Sequence, residues 1–171
     1  MDQIYVLDSS ALQTLNELAT DDDTLTERLT ELRDNSQVIY CEAAKNERQR
    51  FAKGDPVTIW AASGWRSLKD AAEVRWPAVS AVCVEFGIPT PPDLHILDPD
   101  NEETDQQQAI VTIALARKMT SSYNVIVVSD EDFTLENRCT VPEACTVLGM
   151  EHCTVKDFLE SVDITVVTKA P

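Results

Sequence analysis

Short, wholly apolar runs alternate along the chain with longer segments in which apolar residues recur every three or four positions. Residues 4–7 (IYVL) form the first such run and lead straight into Asp8; Ser9 or Ser10 then offers an N-cap for a helix reaching about Ala19. After the acidic turn TDDD, Leu25, Leu29 and Leu32 fall at i, i+4 and i+7, which predicts an amphipathic helix over 24–34. VIY at 38–40 predicts a second strand. The helix that follows, CEAAKNERQRF, runs until Gly54-Asp55-Pro56 breaks it.

Residues 57–92 hold Trp60, Trp65 and Trp76, with a helix predicted on either side of Pro77 and a close at Pro89, Pro91 and Pro92. The segment reads as a helical insertion or lid covering about 54–95. Its tryptophans recur in apolar surroundings, which predicts core anchors and not base-stacking platforms. HILD at 95–98 predicts a short strand, 102–118 a helix with Ile110, Ile113, Ala114 and Leu115 as its apolar positions, and VIVVS at 125–129 a strand ended by Asp130. Pro142 starts a helix that stops at Gly149, Thr154 caps a turn through VKDFLES, and ITVV at 164–167 predicts a final strand. Strands rich in Val and Ile, alternating with helices, call for a mainly parallel sheet covered on both faces: one three-layer α/β/α domain spanning 1–171.

Charge changes this picture in one respect. The net charge is −16, which argues against nonspecific coating of nucleic acid. Yet residues 28–75 hold 9 Lys/Arg against 7 Asp/Glu, a local +2, while the rest of the chain stands at −18. That third could face a polyanion, or be ordinary solvated helix on an acidic, soluble protein. Five cysteines at irregular spacing (Cys41, Cys83, Cys139, Cys145, Cys153) predict reduced thiols. Cys139, Cys145 and Cys153 with His152 lack the spacing that zinc geometry favours. No apolar run of membrane-spanning length and no leader pattern is visible, which predicts a cytoplasmic protein.

Candidate chemistry lies at the strand ends, where ligands of parallel α/β sheets sit. Asp8 and Asp130 each follow a strand directly, and a carboxylate there is expensive unless helix amides or a cation compensate it. Glu42 or Glu47, after the second strand, and Asp105, at the start of the helix leading to VIVVS, can join them. Several carboxylates without a histidine suit Mg2+ or Mn2+, and that chemistry suits phosphodiester hydrolysis. The same acids also read as an N-cap (Asp8), a partner of Arg48 and Arg50 (Glu47), a first-turn acid (Asp105) and a turn residue (Asp130).

The order of these pieces resembles a PIN domain, the metal-dependent nuclease fold of many toxin–antitoxin ribonucleases. YVLDSSAL resembles the opening strand with its aspartate, and VIYCEAAKNERQRF the strand and helix carrying the second acid, which in that pattern is Glu47. TDQQQAIVTIALA resembles the third-acid helix and implies Asp105, with Glu103 or Glu102 as alternates. VIVVSDEDF resembles the strand ending in the fourth acid and implies Asp130, with Asp132 as an auxiliary ligand. The tail CTVPEACTVLGMEHCTVKDFL is similar to the close of a sparsely characterised bacterial subgroup, in which a proline-started helix leads to a last short strand and helix.

The resemblance implies a Mg2+- or Mn2+-dependent endoribonuclease in which Asp8, Glu47, Asp105 and Asp130 hold the metal and Arg48, Arg50 and Lys53 guide the RNA. Ser10 or Ser129 would orient a carboxylate. It further implies the toxin half of a pair, with a cognate antitoxin as partner and scope for a homodimer. The alternatives are a PIN-like binding or assembly module without turnover, and a receiver or phosphatase domain. Against the last, Asp8 is followed by two serines and no late strand ends in lysine.

Overall fold

The computed structural model describes residues 1–87, 105–132 and 140–167. Four strands form one parallel sheet: β1 (Gln3–Leu7), β2 (Val38–Tyr40), β3 (Asn124–Val128) and β4 (Glu151–Cys153), in the order β2-β1-β3-β4. Eight helices accompany them among the described residues: α1 (Ser9–Ala19), α2 (Leu25–Asp34), α3 (Glu42–Phe51), α4 (Pro56–Ala72), α5 (Trp76–Glu85), α6 (Asp105–Met119), α7 (Val141–Leu148) and α8 (Val155–Ser161). The architecture is the expected three-layer α/β/α sandwich.

The strand order follows from the chain's two directions of travel. From β1 it moves outward to β2 through α1 and α2, then returns past β1 to β3 and on to β4. Right-handed crossovers in opposite directions put their helices on opposite faces. α1 packs against α2, α3, α4 and α8, and α6 against α3, α5 and α7, with α3 touching both. Every residue of β1 after Gln3 is buried, as a central strand covered on both faces requires. Tyr5 meets Phe158 of α8 edge-on, with ring centroids 4.8 Å apart, and its hydroxyl lies 2.8 Å from that of Ser161.

The described part of the segment expected as an insertion or lid, residues 54–87, is built into the helical layers, with α4 beside β2 and α5 against α6. Tyr40, at the end of β2, packs on Trp60 and Trp65 of α4, and its hydroxyl donates to the Ala61 carbonyl at 2.7 Å. Asn16 ties α1 to the start of α4 through Asp55 (2.7 Å) and the Val57 amide (3.0 Å). Trp60 is a core anchor and Trp65 is half-buried, but Trp76 departs from expectation: it opens α5 and is 46 % exposed.

Two other expectations meet differences. The run at 164–167 makes no strand: Ile164 packs into the core and the Val167 amide donates to the Asp22 carboxylate at 3.2 Å. β4 itself, preceded by the proline-started α7 and followed by α8, matches the order implied for the tail. Gly149 ends α7 in the left-handed conformation (φ +65°), a cap that glycine adopts without penalty. The strand expected at 95–98 lies outside the described residues.

Candidate functional site

β1 and β3 are neighbours in space, yet the chain leaves them in opposite directions. This makes their carboxyl ends the topological switch point, where ligands bind in open α/β sheets. The register pairs Leu7 with Val128, so Asp8 and Ser129 emerge side by side.

Asp8 is fully buried and caps α1. One of its oxygens accepts from the Ala11 amide and the Ser10 hydroxyl, both at 2.7 Å; the other accepts from the Ser129 hydroxyl at 2.5 Å. The two hydroxyls tie the strand exits together. Ser10 accepts from the Asp130 amide at 2.9 Å, and Ser129 accepts from the Glu131 amide at 3.3 Å. Ser10 and Ser129 therefore orient Asp8 as the expected role requires. Burial pushes the Asp8 carboxyl up to about 7, against the pull of its three hydrogen-bond donors, and the nearby negative charge of Glu131 adds to the rise.

The acids after β3 diverge in direction. In an extended exit successive side chains point to opposite sides, so Ser129 and Glu131 share one side and Asp130 faces the other. Asp130 accepts from the Val155 amide at the start of α8, 2.8 Å away. Glu131 instead accepts from the Gln108 amide group at 3.2 Å and from the Val141 amide at 2.6 Å. Asp132 is exposed.

Gln108, buried on α6, completes the rim by accepting from the Ser9 amide at 3.1 Å. One turn further along α6, Thr112 lies 3.4 Å from the Cys41 thiol, which caps α3 at the end of β2. Burial raises that thiol above the usual range. It is thereby held in the neutral form, a small buried polar group and not a nucleophile.

The structure thus brings Asp8 to the same rim as the residues following β3, and it places α3 and α6 on its flanks. Glu47 is half-buried in α3, whereas Glu42 is exposed. Asp105 is the first residue of α6; its side chain lies outside the described residues, as do Glu102 and Glu103. Arg48 sits one residue beyond Glu47, and its guanidinium donates to Gln13 of α1 at 3.4 Å; Arg50 stacks over the ring of Phe51, and Lys53 is exposed.

Glu131 and Gln108 are the two rim residues that the motif reading missed. Period-two alternation from Ser129 would have found the first. The second carries no signal, because an amide does not stand out among three consecutive glutamines.

Among the described residues, the donor set suits a hard cation in kind: a buried carboxyl raised by desolvation, a second carboxylate beside it, hydroxyls, and no imidazole. Among the described residues, no three His, Cys, Asp or Glu side chains converge closely enough to hold an ion. Glu47 is one of the residues so described and does not close such a group with Asp8, Asp130 and Glu131, so a complete metal centre would call on acids outside them, such as Asp105. Among the described residues, no helix is long and apolar enough to cross a membrane. Set against known proteins, the chain matches no family model, no curated protein and no solved structure.

Proposed function

We propose that this protein is a Mg2+- or Mn2+-dependent endoribonuclease of the PIN type, acting in the cytoplasm as the toxin half of a toxin–antitoxin pair. The observation that carries this reading is Asp8: a buried carboxyl with a pKa near 7 and, among the described residues, no cationic partner, at the switch point of a doubly wound parallel sheet. Ser10 and Ser129 fix its orientation, and Glu131 or Asp130 supplies the neighbouring acid. Asp105 would close the ligand set from α6. When bound, the ion supplies acidification of a water and neutralisation of charge on the phosphate. Arg48, Arg50 and Lys53, at the far end of α3, contribute phosphate affinity in a chain that otherwise repels RNA.

A specific observation favours a second reading, that of a PIN-like binding or assembly module. Both Asp8 oxygens are already hydrogen-bonded within the chain, and the buried α6 residue at the rim is an amide, not an acid. Incubating purified protein with structured RNAs, with and without Mn2+, separates the two. The nuclease reading expects Mn2+-dependent cleavage by the natural protein and a loss of about 100-fold or more in Asp8→Asn. Equal degradation by both proteins would defeat it. Absence of cleavage together with absence of thermal stabilisation by Mn2+ would favour the binding module.

A further inference from the structure

Gln108 is 4 % exposed, and both ends of its amide group are used at the rim. Its oxygen accepts from the Ser9 amide at 3.1 Å, next to Asp8, and its nitrogen donates to Glu131 at 3.2 Å. The other Glu131 oxygen accepts at 2.6 Å from the amide of Val141, the first residue of α7. Ser129 links the two acids, because its hydroxyl donates to Asp8 and accepts from the Glu131 amide. A side-chain amide suits this place because it offers an acceptor and a donor at once. A glutamate there would still accept from Ser9, but it would have no proton for Glu131 and would set a third negative charge against Asp8 and Glu131.

We infer, on the nuclease reading, that Gln108 is a positioning residue: it holds Glu131 beside Asp8 without an ion, so that the rim takes up its divalent cation together with a phosphate and not before it. Three features carry this. The carboxyl oxygens of Asp8 and Glu131 are already met by donors, so a cation arriving alone must compete with bonds the chain makes for itself. An amide in place of a third acid makes the rim one negative charge poorer, and its affinity for a lone cation falls accordingly. Phosphate oxygens supply that missing charge, as in sites where one or two carboxylates share Mg2+ with a substrate phosphate. The converse holds as well: in a chain of net charge −16, a phosphate without its cation is repelled.

Isothermal titration of Mn2+ into the full chain, with and without AMP, tests this; AMP carries a phosphate but no internucleotide bond. In the natural chain AMP should tighten Mn2+ binding by about 10-fold or more, after subtraction of the association of Mn2+ with AMP in buffer, and Mn2+ should tighten AMP binding by the same factor. Gln108→Glu keeps the acceptor for Ser9, removes the donor to Glu131 and adds a carboxylate. It should bind Mn2+ alone about 10-fold or more tighter than the natural chain, with the coupling to AMP reduced. A glutamine that merely packs the rim would move neither quantity. The coupling in the natural chain needs no variant and is read even if Gln108→Glu does not fold. Equal Mn2+ affinity of the natural chain with and without AMP would overturn the lock, as would a Gln108→Glu chain, folded by circular dichroism, that gains no Mn2+ affinity; either result leaves the nuclease reading in place. No Mn2+ binding by either protein, with or without AMP, would overturn the nuclease reading and the lock with it.

Discussion

At the carboxyl ends of β1 and β3 the protein buries Asp8, Ser9, Ser129 and Gln108; under α4, on the flank of β2, it buries Tyr40, Trp60, Ala61 and Leu68. Both regions are closely tied, but by different forces. The α4 flank gains from removing large apolar and aromatic surfaces from water, and the buried Tyr40 hydroxyl finds a carbonyl. The rim pays desolvation and recovers part of it through a knot of directed hydrogen bonds around one carboxyl. A carboxyl kept where it costs stability is what a functional site looks like, whereas the α4 flank is explained by packing alone.

The contrast can be broken most forcefully from the α4 side. Trp60→Ala should cost about 3–5 kcal/mol, read by denaturant unfolding, because it empties a space against Tyr40 that neighbouring rings cannot fill. Any Mn2+ response of the variant that still folds should be unchanged, since the rim is not touched. A lost Mn2+ response in folded protein would merge the two regions.

Asp8→Asn should act with the opposite sign. In the natural protein the folded-state pKa near 7 stands above the ordinary value of 3.8. Below about pH 4 the carboxyl is protonated in both states. Between about 4 and 7 only the folded state holds the proton, so stability falls as pH rises, and above about 7 the full cost is carried. That cost is at most about 4 kcal/mol, the roughly three-unit rise taken at 1.36 kcal/mol per unit. At pH 8 the asparagine variant should therefore melt higher than the natural protein, with a flatter stability profile between pH 4 and 7. A natural profile already flat in that window would remove the electrostatic argument for the site. Saturating Mn2+, if bound, should restore stability at pH 8 and leave it unchanged at pH 4.

Gln108→Leu probes the knot without changing charge. It leaves the Ser9 amide without its side-chain acceptor in a buried place, an expected loss of about 1–3 kcal/mol in chemical denaturation. A neutral outcome would mean that water reaches the rim. The smallest expected effect separates the two acids after β3. Asp130→Asn should cost about 0.3–1 kcal/mol, because only its charge at the α8 terminus is lost. Glu131→Gln should lower the Asp8 pKa by removing the adjacent negative charge. In a cleavage assay the Glu131 variant is expected to lose more activity than the Asp130 variant; the reverse order would return Asp130 to the centre of the site.

What the sequence made legible follows the same division. The inner strands could be placed because IYVL and VIVV are continuous apolar runs, and the helices because their stripes and caps are local features. Asp8 was legible as a carboxyl following a strand. The faces of the rim were not: choosing between Asp130 and Glu131 depends on how the chain leaves β3, and the motif reading counted residues without following their alternation. Trp76 was misjudged because apolar neighbours in sequence do not say which side of a helix is covered. β4 shows no alternation in Glu151-His152-Cys153, so only the order of the closing segment pointed to it. ITVV has strand composition, but composition does not choose a partner: Ile164 goes to the core and the Val167 amide to the Asp22 carboxylate.

β1 is the first element of the chain and also the centre of the sheet, and Gln3 pairs with Asn124. A ribosome adding roughly 5–20 amino acids per second would spend about 6–24 s between making the two. Throughout that interval one side of an apolar strand lacks its permanent neighbour, and the pocket around Asp8 does not yet exist. Nascent chains should therefore lack the Asp8 rim until β3 has emerged, and the same delay opens a period in which chaperones can engage the exposed strand.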